Sequence, residues 1–432
     1  ILRYIQNYQM KLQEMLSRLQ KLHPKEIDLS LDRIKKLCDK LGNPQDNLNY
    51  ISVIGTNGKY STIQTIRAIL TEANINCNIY TSPHIQKINE RYVYNNKEIS
   101  DEDLSKILSE VEEVNNNKPI TYFEILTAAY FYGAKKYSKN INIIEAGLFH
   151  RFDATNIIKS NLASVITSIG IDHTDWLPNE DQTIDRIIFE KTSSLLNSKI
   201  IVSKQSTSEV LNKIQKSLSN NSSEKIMFNN DYNYSLNENG FIYYEDKYGG
   251  LKLPMPNLNG EFQISNVATA IATLRNIKNI QISENDIKNG ITKIKSIARL
   301  QEIKKGKLKD LVKKNKIYID GSHNPLGADV LSKYLNTLDC NKHVILGMMK
   351  NKKHTEYVNY FIGKISSLTT IDIPNQTNAI KGIDLKEKLK GFNKISNQPS
   401  IQEAIKSIDI NENDIIIITG SLYLAGEVLN QN

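Results

Sequence analysis

Apolar and polar positions along this chain fall into short blocks, and the period of each block predicts an element. Tyr4 to Leu22 carries apolar residues at helical spacing, as does Leu29 to Leu41, which Gly42-Asn43-Pro44 ends. Ile51 to Ile54 is a brief apolar run stopping at Gly55, and beyond Lys59 the spacing of Ile63, Ile66, Ile69 and Leu70 predicts a helix. Ile75 to Thr81 reads as a strand running into Ser82-Pro83-His84, and Ile88 to Ile99 as a hairpin turning at Asn95-Asn96. Ser100 is placed to cap a helix reaching about Val114, with acidic residues in its first turn. Thr121-Tyr-Phe-Glu124 is a capping box that opens a helix to about Tyr137. Ile141 to Ile144, followed by Glu145, and Leu162 to Ser168, followed by Gly170-Ile-Asp-His-Thr-Asp175, are strands of the buried type. A helix over Thr183 to Leu196 and a strand over Lys199 to Ser203 follow.

Strands alternating with helices predict an α/β protein with a mainly parallel sheet covered on both faces. Ligands of such sheets gather at the carboxyl ends of the strands. Gly55, Ser82, Glu145 and His173 each follow a strand end, so one crevice is expected to hold them. Polar, tyrosine-rich residues 220–250 predict a small β-insert, and helices are expected over Leu258 to Ile277 and Glu284 to Ile294. From Ser296 the alternation restarts, with strands over Lys316 to Asp320, His343 to Leu346 and Ile415 to Thr419. Helices are expected there over Leu326 to Leu338, Tyr357 to Ser366 and Ser421 to Leu429. The expected division is a domain of residues 1–296 and a second, Rossmann-like α/β domain of residues 297–432. There is no internal repeat.

A chain of 432 residues is long enough for two cores, and 40% hydrophobic with 24% charged residues describes a globular protein. No apolar run reaches membrane-spanning length and no signal peptide opens the chain, so a cytoplasmic protein is expected. The chain starts at Ile1 rather than Met, and residues preceding it are expected. The net charge of +8 comes from lysines scattered among Asn and Ile, without a basic helix interleaved with aromatics. Nucleic acid is therefore a poor candidate, and small anionic substrates a better one. Cys38, Cys77 and Cys340 are odd in number and far apart, as expected of reduced thiols rather than of disulfides or a zinc site.

The stretch Gly55-Thr-Asn-Gly-Lys59 joins a strand to a helix. That arrangement cradles phosphate: backbone N–H groups point into the turn, the helix dipole favours negative charge, and Lys59 reaches terminal phosphates. Ser61 or Thr62 offers a hydroxyl to a phosphate-bound Mg2+. On these residues alone, a plain strand–turn–helix explains the pattern equally well.

Further motifs follow in order: Thr81-Ser-Pro-His84, Asn89-Glu-Arg91, Asp153-Ala-Thr-Asn156, Thr167-Ser-Ile-Gly-Ile-Asp-His-Thr174 and Glu190-Lys191. Then come Leu258-Asn-Gly-Glu-Phe-Gln263 with Asn266, Ala298-Arg299-Leu300, Asp320-Gly-Ser-His-Asn-Pro325 and Thr419-Gly-Ser-Leu-Tyr423. With these motifs the chain resembles the folylpolyglutamate synthase/dihydrofolate synthase family, relatives of the Mur ligases, from Ile27 almost to the C-terminus. The resemblance implies a P-loop-type ATPase domain followed by a glutamate-ligase domain, and ATP and Mg2+ as cofactors, with K+ a further ion. It implies a ligase that joins L-glutamate to the carboxylate of tetrahydrofolate or dihydropteroate through an acyl phosphate. A cleft whose closure excludes water suits that chemistry. No nucleic-acid or membrane partner is implied, and a monomer is expected.

Residue by residue, the resemblance implies that Ser82, Glu145, His173 and Lys191 hold metal, with Lys191 carbamylated. Lys59, His173, Lys191 and Arg299 take catalytic roles, and Asn57, Gly58, Lys59, Tyr60, Ser61, Asn266, Arg299, Asp320 and His323 bind the nucleotide. Asp28-Leu29-Ser30, Tyr122-Phe123-Glu124 and Phe152-Asp153-Ala154 are implied to hold the pterin-bearing substrate. For Glu124 the capping box is itself a full structural explanation, and for Asp320 an Asx turn is one.

Four places depart from the family pattern. Tyr60, Phe149-His150 and Ala298 stand where glycines are usual, and Gly347-Met-Met-Lys-Asn-Lys-Lys353 lacks the acid usual before its lysine. A Cβ where a glycine holds positive φ costs on the order of 1 kcal/mol. A drifted, weakly active or inactive nucleotide- or folate-binding homologue is thus the alternative expectation, and an unrelated P-loop NTPase a third.

Overall fold

The protein's structure, a computed structural model, describes residues 2–25, 28–389, 391–392 and 394–432. These divide into two compact units: Ile1–Ile169 with Asp181–Met255 and Ser265–Lys293, and Gly170–Glu180 with Pro256–Ile264 and Ile294–Asn432. The expected division placed the loop at 170–180 and the segment at 256–264 in the first part; by compactness both go with the second.

The first unit opens with α1 (Leu2–Gln20) and α2 (Asp32–Lys40), followed by β1 (Asn49–Ile54) and α3 (Lys59–Glu72). Next come β2 (Cys77–Tyr80), β3 (Tyr92–Tyr94), β4 (Lys97–Glu98), α4 (Asp101–Asn115), α5 (Tyr122–Ala134) and β5 (Ile141–Glu145). It continues through β6 (Ala163–Ile166), α6 (Ile184–Thr192), β7 (Lys199–Val202), α7 (Ser208–Ser217) and β8 (Glu224–Met227). The eight-stranded sheet runs in the order β4-β3-β2-β5-β1-β6-β7-β8. Strands β2, β5, β1, β6, β7 and β8 are parallel, and the β3–β4 hairpin adds antiparallel to the edge. β1 lies between β5 and β6 and buries all of its residues after Asn49, which is why it reads as an unbroken apolar run with Ser52 as its polar exception. The hairpin turns at Asn95 and Asn96, both at positive φ, as a two-residue turn requires.

Local signals set the helix starts. Ser100 accepts from Asp103 N, and Thr121 and Glu124 form the reciprocal capping box. Helix α5 then buries nearly every side chain against α4 and the sheet, its Tyr130 stacked between Tyr80 and Tyr94.

The β-insert differs from its expected extent. β8, inside the expected 220–250 stretch, is the last strand of the large sheet, paired parallel to β7, because Ile226 and Met227 bury there. The insert is a three-stranded antiparallel sheet of β9 (Tyr232–Leu236), β10 (Ile242–Asp246) and β11 (Leu251–Leu253). Helices α8 (Phe262–Asn276) and α9 (Glu284–Ile291) follow.

The second unit holds β12 (Gln301–Ile303), α10 (Lys307–Asp310), β13 (Lys316–Ile319), α11 (Pro325–Asn336), β14 (Lys342–Leu346) and α12 (His354–Asn359). It ends with β15 (Ser367–Thr370), α13 (Gly382–Lys388), β16 (Ile395–Asn397), α14 (Ile401–Ser407), β17 (Ile415–Thr419) and α15 (Leu422–Gln431). Its six strands run β12-β13-β17-β14-β15-β16, parallel except for β12 at one edge. The helix expected over Tyr357 to Ser366 is only α12, ending at Asn359. Gly363, at φ +73°, turns the chain towards β15, so Phe361 buries from a turn rather than from a helix. Among the described residues no helix is long and apolar enough to cross a membrane.

Candidate active site

At the centre of the large sheet β1 delivers the chain into the loop Gly55–Gly58, and α3 takes it away. Gly55 is at φ +153°, where a Cβ would run into Thr167 Oγ1; Gly58 is at φ +88°, where a Cβ would lie 2.5 Å from Asn266 Oδ1. Both positions therefore require glycine, one for conformation and close approach to the end of β6, the other to let Asn266 reach the loop. The main-chain N–H groups of Thr56 and Asn57 donate to Ser168 O at 2.9 and 3.1 Å, fixing the loop to the residues after β6.

Two ammonium groups converge on this loop. Lys59 Nζ donates to Gly55 O at 3.1 Å and Thr56 O at 3.3 Å, and lies 3.9 Å from Glu145 Oε1. Lys191, 2% exposed, donates to the same Gly55 carbonyl at 3.0 Å and to Leu148 O at 2.7 Å. Two carbonyl acceptors, with the Phe149 ring 5.6 Å away, suit the ammonium form; the carbamate implied by the resemblance would need other partners. Ser82 N donates to Glu145 Oε2 at 3.1 Å, so the ends of β2 and β5 meet at one buried carboxylate. Ser61 and Thr62 are buried in the first turn of α3, and Thr62 Oγ1 has no hydrogen-bond partner among the described residues.

This donor set fits a magnesium-bound polyphosphate: glycine amides and two cations for the phosphates, with a carboxylate and hydroxyls of the hard-oxygen type for the ion. Among the described residues no group of three or more His, Cys, Asp and Glu could hold a metal by itself. A shell completed by phosphate oxygens and water is the usual habit of Mg2+.

The substrate segments expected from sequence form a second cluster in the same unit. Arg33, which no sequence motif singled out, joins two of them. Its Nε donates to Glu124 Oε2 at 2.9 Å, its Nη1 to Asp28 Oδ2 at 2.7 Å and its Nη2 to Asp28 O at 2.7 Å. Glu124 Oε2 also accepts from Thr121 N, as the capping box demands, while buried Oε1 has no partner among the described residues. Asp153 accepts from Gly147 N at 2.9 Å, and a Cβ on Gly147 would sit 3.2 Å from the Phe123 ring, so the third segment adjoins the second. Burial pushes the Asp153 carboxyl above the usual range, against hydrogen bonds from Thr155 and Gly147. Ala154 is buried beside it, Tyr122 and Phe123 are half-buried, and Leu29 and Phe152 show 36% and 37% of their surface. Ser30 Oγ accepts from Asp32 N at the start of α2. Arg151 stacks on Phe152 and Phe189 and makes a two-pronged pair with buried Glu190 at 2.6 and 2.9 Å.

In the second unit, Asp172 is the centre. It accepts from Lys352 Nζ at 2.8 Å, Asn324 Nδ2 at 2.8 Å and His173 N at 2.9 Å, with His323 Nε2 3.4 Å away. Burial alone would raise its carboxyl, but His173, His323 and Lys352 together hold it well below the usual carboxylate range. His173 is at φ +56° and opens the short 3-10 turn Thr174–Trp176. Asp320 spends both oxygens on main-chain amides, Leu300 N at 3.0 Å and Ser322 N at 2.9 Å; the second bond is the Asx turn. Asp320 thereby braces the loop bearing Arg299, whose Nη1 donates to Ala298 O at 3.0 Å. His323 Nδ1 pairs with Gly321 O at 2.9 Å, which directs Nε2 towards Asp172.

The departures differ in kind. Tyr60 is a half-buried residue in the helical first turn of α3, and Phe149 and His150 are buried without positive φ, so none of the three needs glycine's conformation. Burial, with Lys191 nearby, lowers the His150 imidazole to about 3 and keeps it neutral. Ala298 and Leu300 do sit at φ +54° and +48°, each left-handed residue costing about 1 kcal/mol.

Comparison with known proteins agrees with this architecture. Residues 301–431 match the sequence profile described as the C-terminal domain of dihydrofolate synthetase. A dihydrofolate synthase/folylpolyglutamate synthase of Haemophilus influenzae is 30% identical over 96% of this chain and 96% of its own length. A dihydrofolate synthetase of Saccharomyces cerevisiae is 28% identical over 93% of this chain and 97% of its own. The structure of E. coli FolC in complex with DHPP and ADP superposes with a TM-score of 0.85, at 26% identity and 97% coverage of both chains. Identity sustained over nearly the whole length, on a matching fold, means that the chain belongs to the dihydrofolate synthase/folylpolyglutamate synthase family.

Proposed function

We propose that this chain is a cytoplasmic, ATP- and Mg2+-dependent ligase that joins L-glutamate to the carboxylate of dihydropteroate, tetrahydrofolate or both. The observation that carries it is the convergence of Lys59 and Lys191 on the Gly55 carbonyl beside Glu145, in a chain of this family. In the first step the acid's carboxylate attacks the γ-phosphorus of ATP, giving an acyl phosphate and ADP. In the second the glutamate amine attacks the acyl carbon, phosphate leaves, and the amine's proton is lost. Glycine amides and the two lysines hold the phosphates in place and offset their charge. Ser82 and Glu145 of the first unit would hold the magnesium, which supplies further neutralisation of the transferred phosphoryl group when bound. Arg33 keeps Asp28 and Glu124 in fixed positions for the acid substrate. In the second unit, Asp320 braces the loop that bears Arg299.

Purified protein given ATP, Mg2+, glutamate and either acid should release phosphate only when both acceptors are present. Phosphate release that ignores glutamate would overturn this reading.

A further inference from the structure

The motif Asn89-Glu90-Arg91 has two members whose side chains are consumed by local structure. Asn89 Nδ2 donates to Ile99 O at 3.1 Å and Asp101 Oδ1 at 2.8 Å. The Glu90 carboxylate accepts from the main-chain N–H groups of Ile85, Gln86 and Lys87 at 2.7, 2.9 and 3.0 Å. Arg91 is different. It is 9% exposed, and among the described residues its one side-chain hydrogen bond is from Nε to His84 Nδ1 at 3.0 Å, with no carboxylate at ion-pair distance. An imidazole that accepts at Nδ1 from a guanidinium is neutral, so His84 brings no charge to meet that of Arg91. The Arg91 charge also acts on the phenols of Tyr80, Tyr92 and Tyr122, all neutral. Nη1 and Nη2 of this largely buried side chain have no anionic partner among the described residues and are not sealed from solvent, so an anionic ligand can reach them.

Its place says which anion. Thr81 N donates to Arg91 O at 3.2 Å, so Arg91 flanks the strand end that carries Ser82 and, through it, Glu145. Its charge also reaches Tyr122, first residue of the Tyr122-Phe123-Glu124 segment. Arg91 therefore adjoins the strand end of the phosphate-binding cluster, and its charge reaches the segment expected to hold the pterin. The acid substrate has its ring at one end and, at the other, the carboxylate that must meet the phosphates. We propose that Arg91 binds the carboxylate of the acid substrate through Nη1 and Nη2, with His84 fixing the guanidinium by its Nε. The guanidinium fork matches a carboxylate with two parallel bonds. This assignment rests on the functional reading above and adds the residue that anchors the reacting group.

The test is a binding titration of the full chain with dihydropteroate and with 6-hydroxymethylpterin, which has the ring but no carboxylate. Arg91→Met should weaken dihydropteroate about tenfold to a hundredfold, Arg91→Lys should recover part of the loss, and neither should change binding of the carboxylate-free pterin. Thermal stability of the unliganded Arg91→Met protein should stay close to that of the parent, since among the described residues the side chain gives up one hydrogen bond, to His84. Unchanged dihydropteroate affinity in Arg91→Met would overturn the proposal. So would equal weakening of both ligands, or a variant that melts early or fails to fold, since these mark Arg91 as a structural residue. A parent protein that does not bind dihydropteroate would instead overturn the functional reading itself.

Discussion

Lys352 donates to Asp172 at 2.8 Å across 180 positions of sequence. The stretch around Lys352 lacks the acid that the family pattern places before it, and the pair shows where a carboxylate comes from in this chain: from the loop at 170–180, in space rather than in sequence. Asn351 makes a parallel contact with Asp175 at 2.9 Å.

Breaking that pair leaves a buried charge behind. Asp172→Asn or Lys352→Met should each destabilise the second unit by roughly 3 kcal/mol, while the double variant should lose less than the sum. Melting curves of the four proteins give the coupling directly; strict additivity would show that the contact contributes nothing.

His84 and His150 carry a pH signature. Their imidazoles are lowered to about 4 and about 3 by burial, with a nearby cation adding to it. Between about pH 4 and 6.5 the unfolded chain binds protons at both sites and the folded chain does not, so stability rises with pH across this window and falls as it is acidified. The expected slope is ~1.4 kcal/mol per pH unit for each histidine. His84→Gln and His150→Gln should each flatten the dependence of the unfolding midpoint between pH 6.5 and 5, where carboxylates contribute little.

At Ala298 the left-handed backbone meets a Cβ. Ala298→Gly should raise stability by up to about 1 kcal/mol, read as a higher melting temperature with an unaltered rate of phosphate release. Tyr60 and Phe149 are the opposite case. Neither is at positive φ, so Tyr60→Gly and Phe149→Gly should bring no gain in turnover. A large gain would reveal that the parent is a crippled homologue.

Replacing either lysine of the glycine loop should cost rate far more than fold. Lys59→Met or Lys191→Met should lower the rate of glutamate-dependent phosphate release by a factor on the order of 100 or more, measured at saturating ATP. Lys191→Met should also lower the melting temperature, because Leu148 O and Gly55 O lose a buried donor.

What was legible in sequence was whatever is decided locally. The Thr121–Glu124 box, the Ser100 cap, the Asn95-Asn96 turn and the glycine loop after β1 each depend on a few adjacent residues, and the structure shows each of them. β15 and β16, rich in Ser, Thr and Asn, did not announce themselves, because the pairing of β15 to β14 and of β16 to β15, rather than their own apolarity, makes them strands. Nor could spacing reveal that Arg33 joins Asp28 to Glu124, 91 positions away. Glu124 illustrates both sides: the capping box explained Oε2, while only in three dimensions is Oε1 visible as a buried atom without a partner among the described residues.

One peptide oxygen, that of Gly55, receives both Lys59 and Lys191. An anion arriving at this loop must compete with Gly55 O, Thr56 O and Leu148 O for the two amines. A singly charged ion gains little from such an exchange, while a triphosphate, with several charges held close together, outbids three neutral carbonyls at once. The shared carbonyl thus favours a highly charged anion at this loop, whatever base that anion carries.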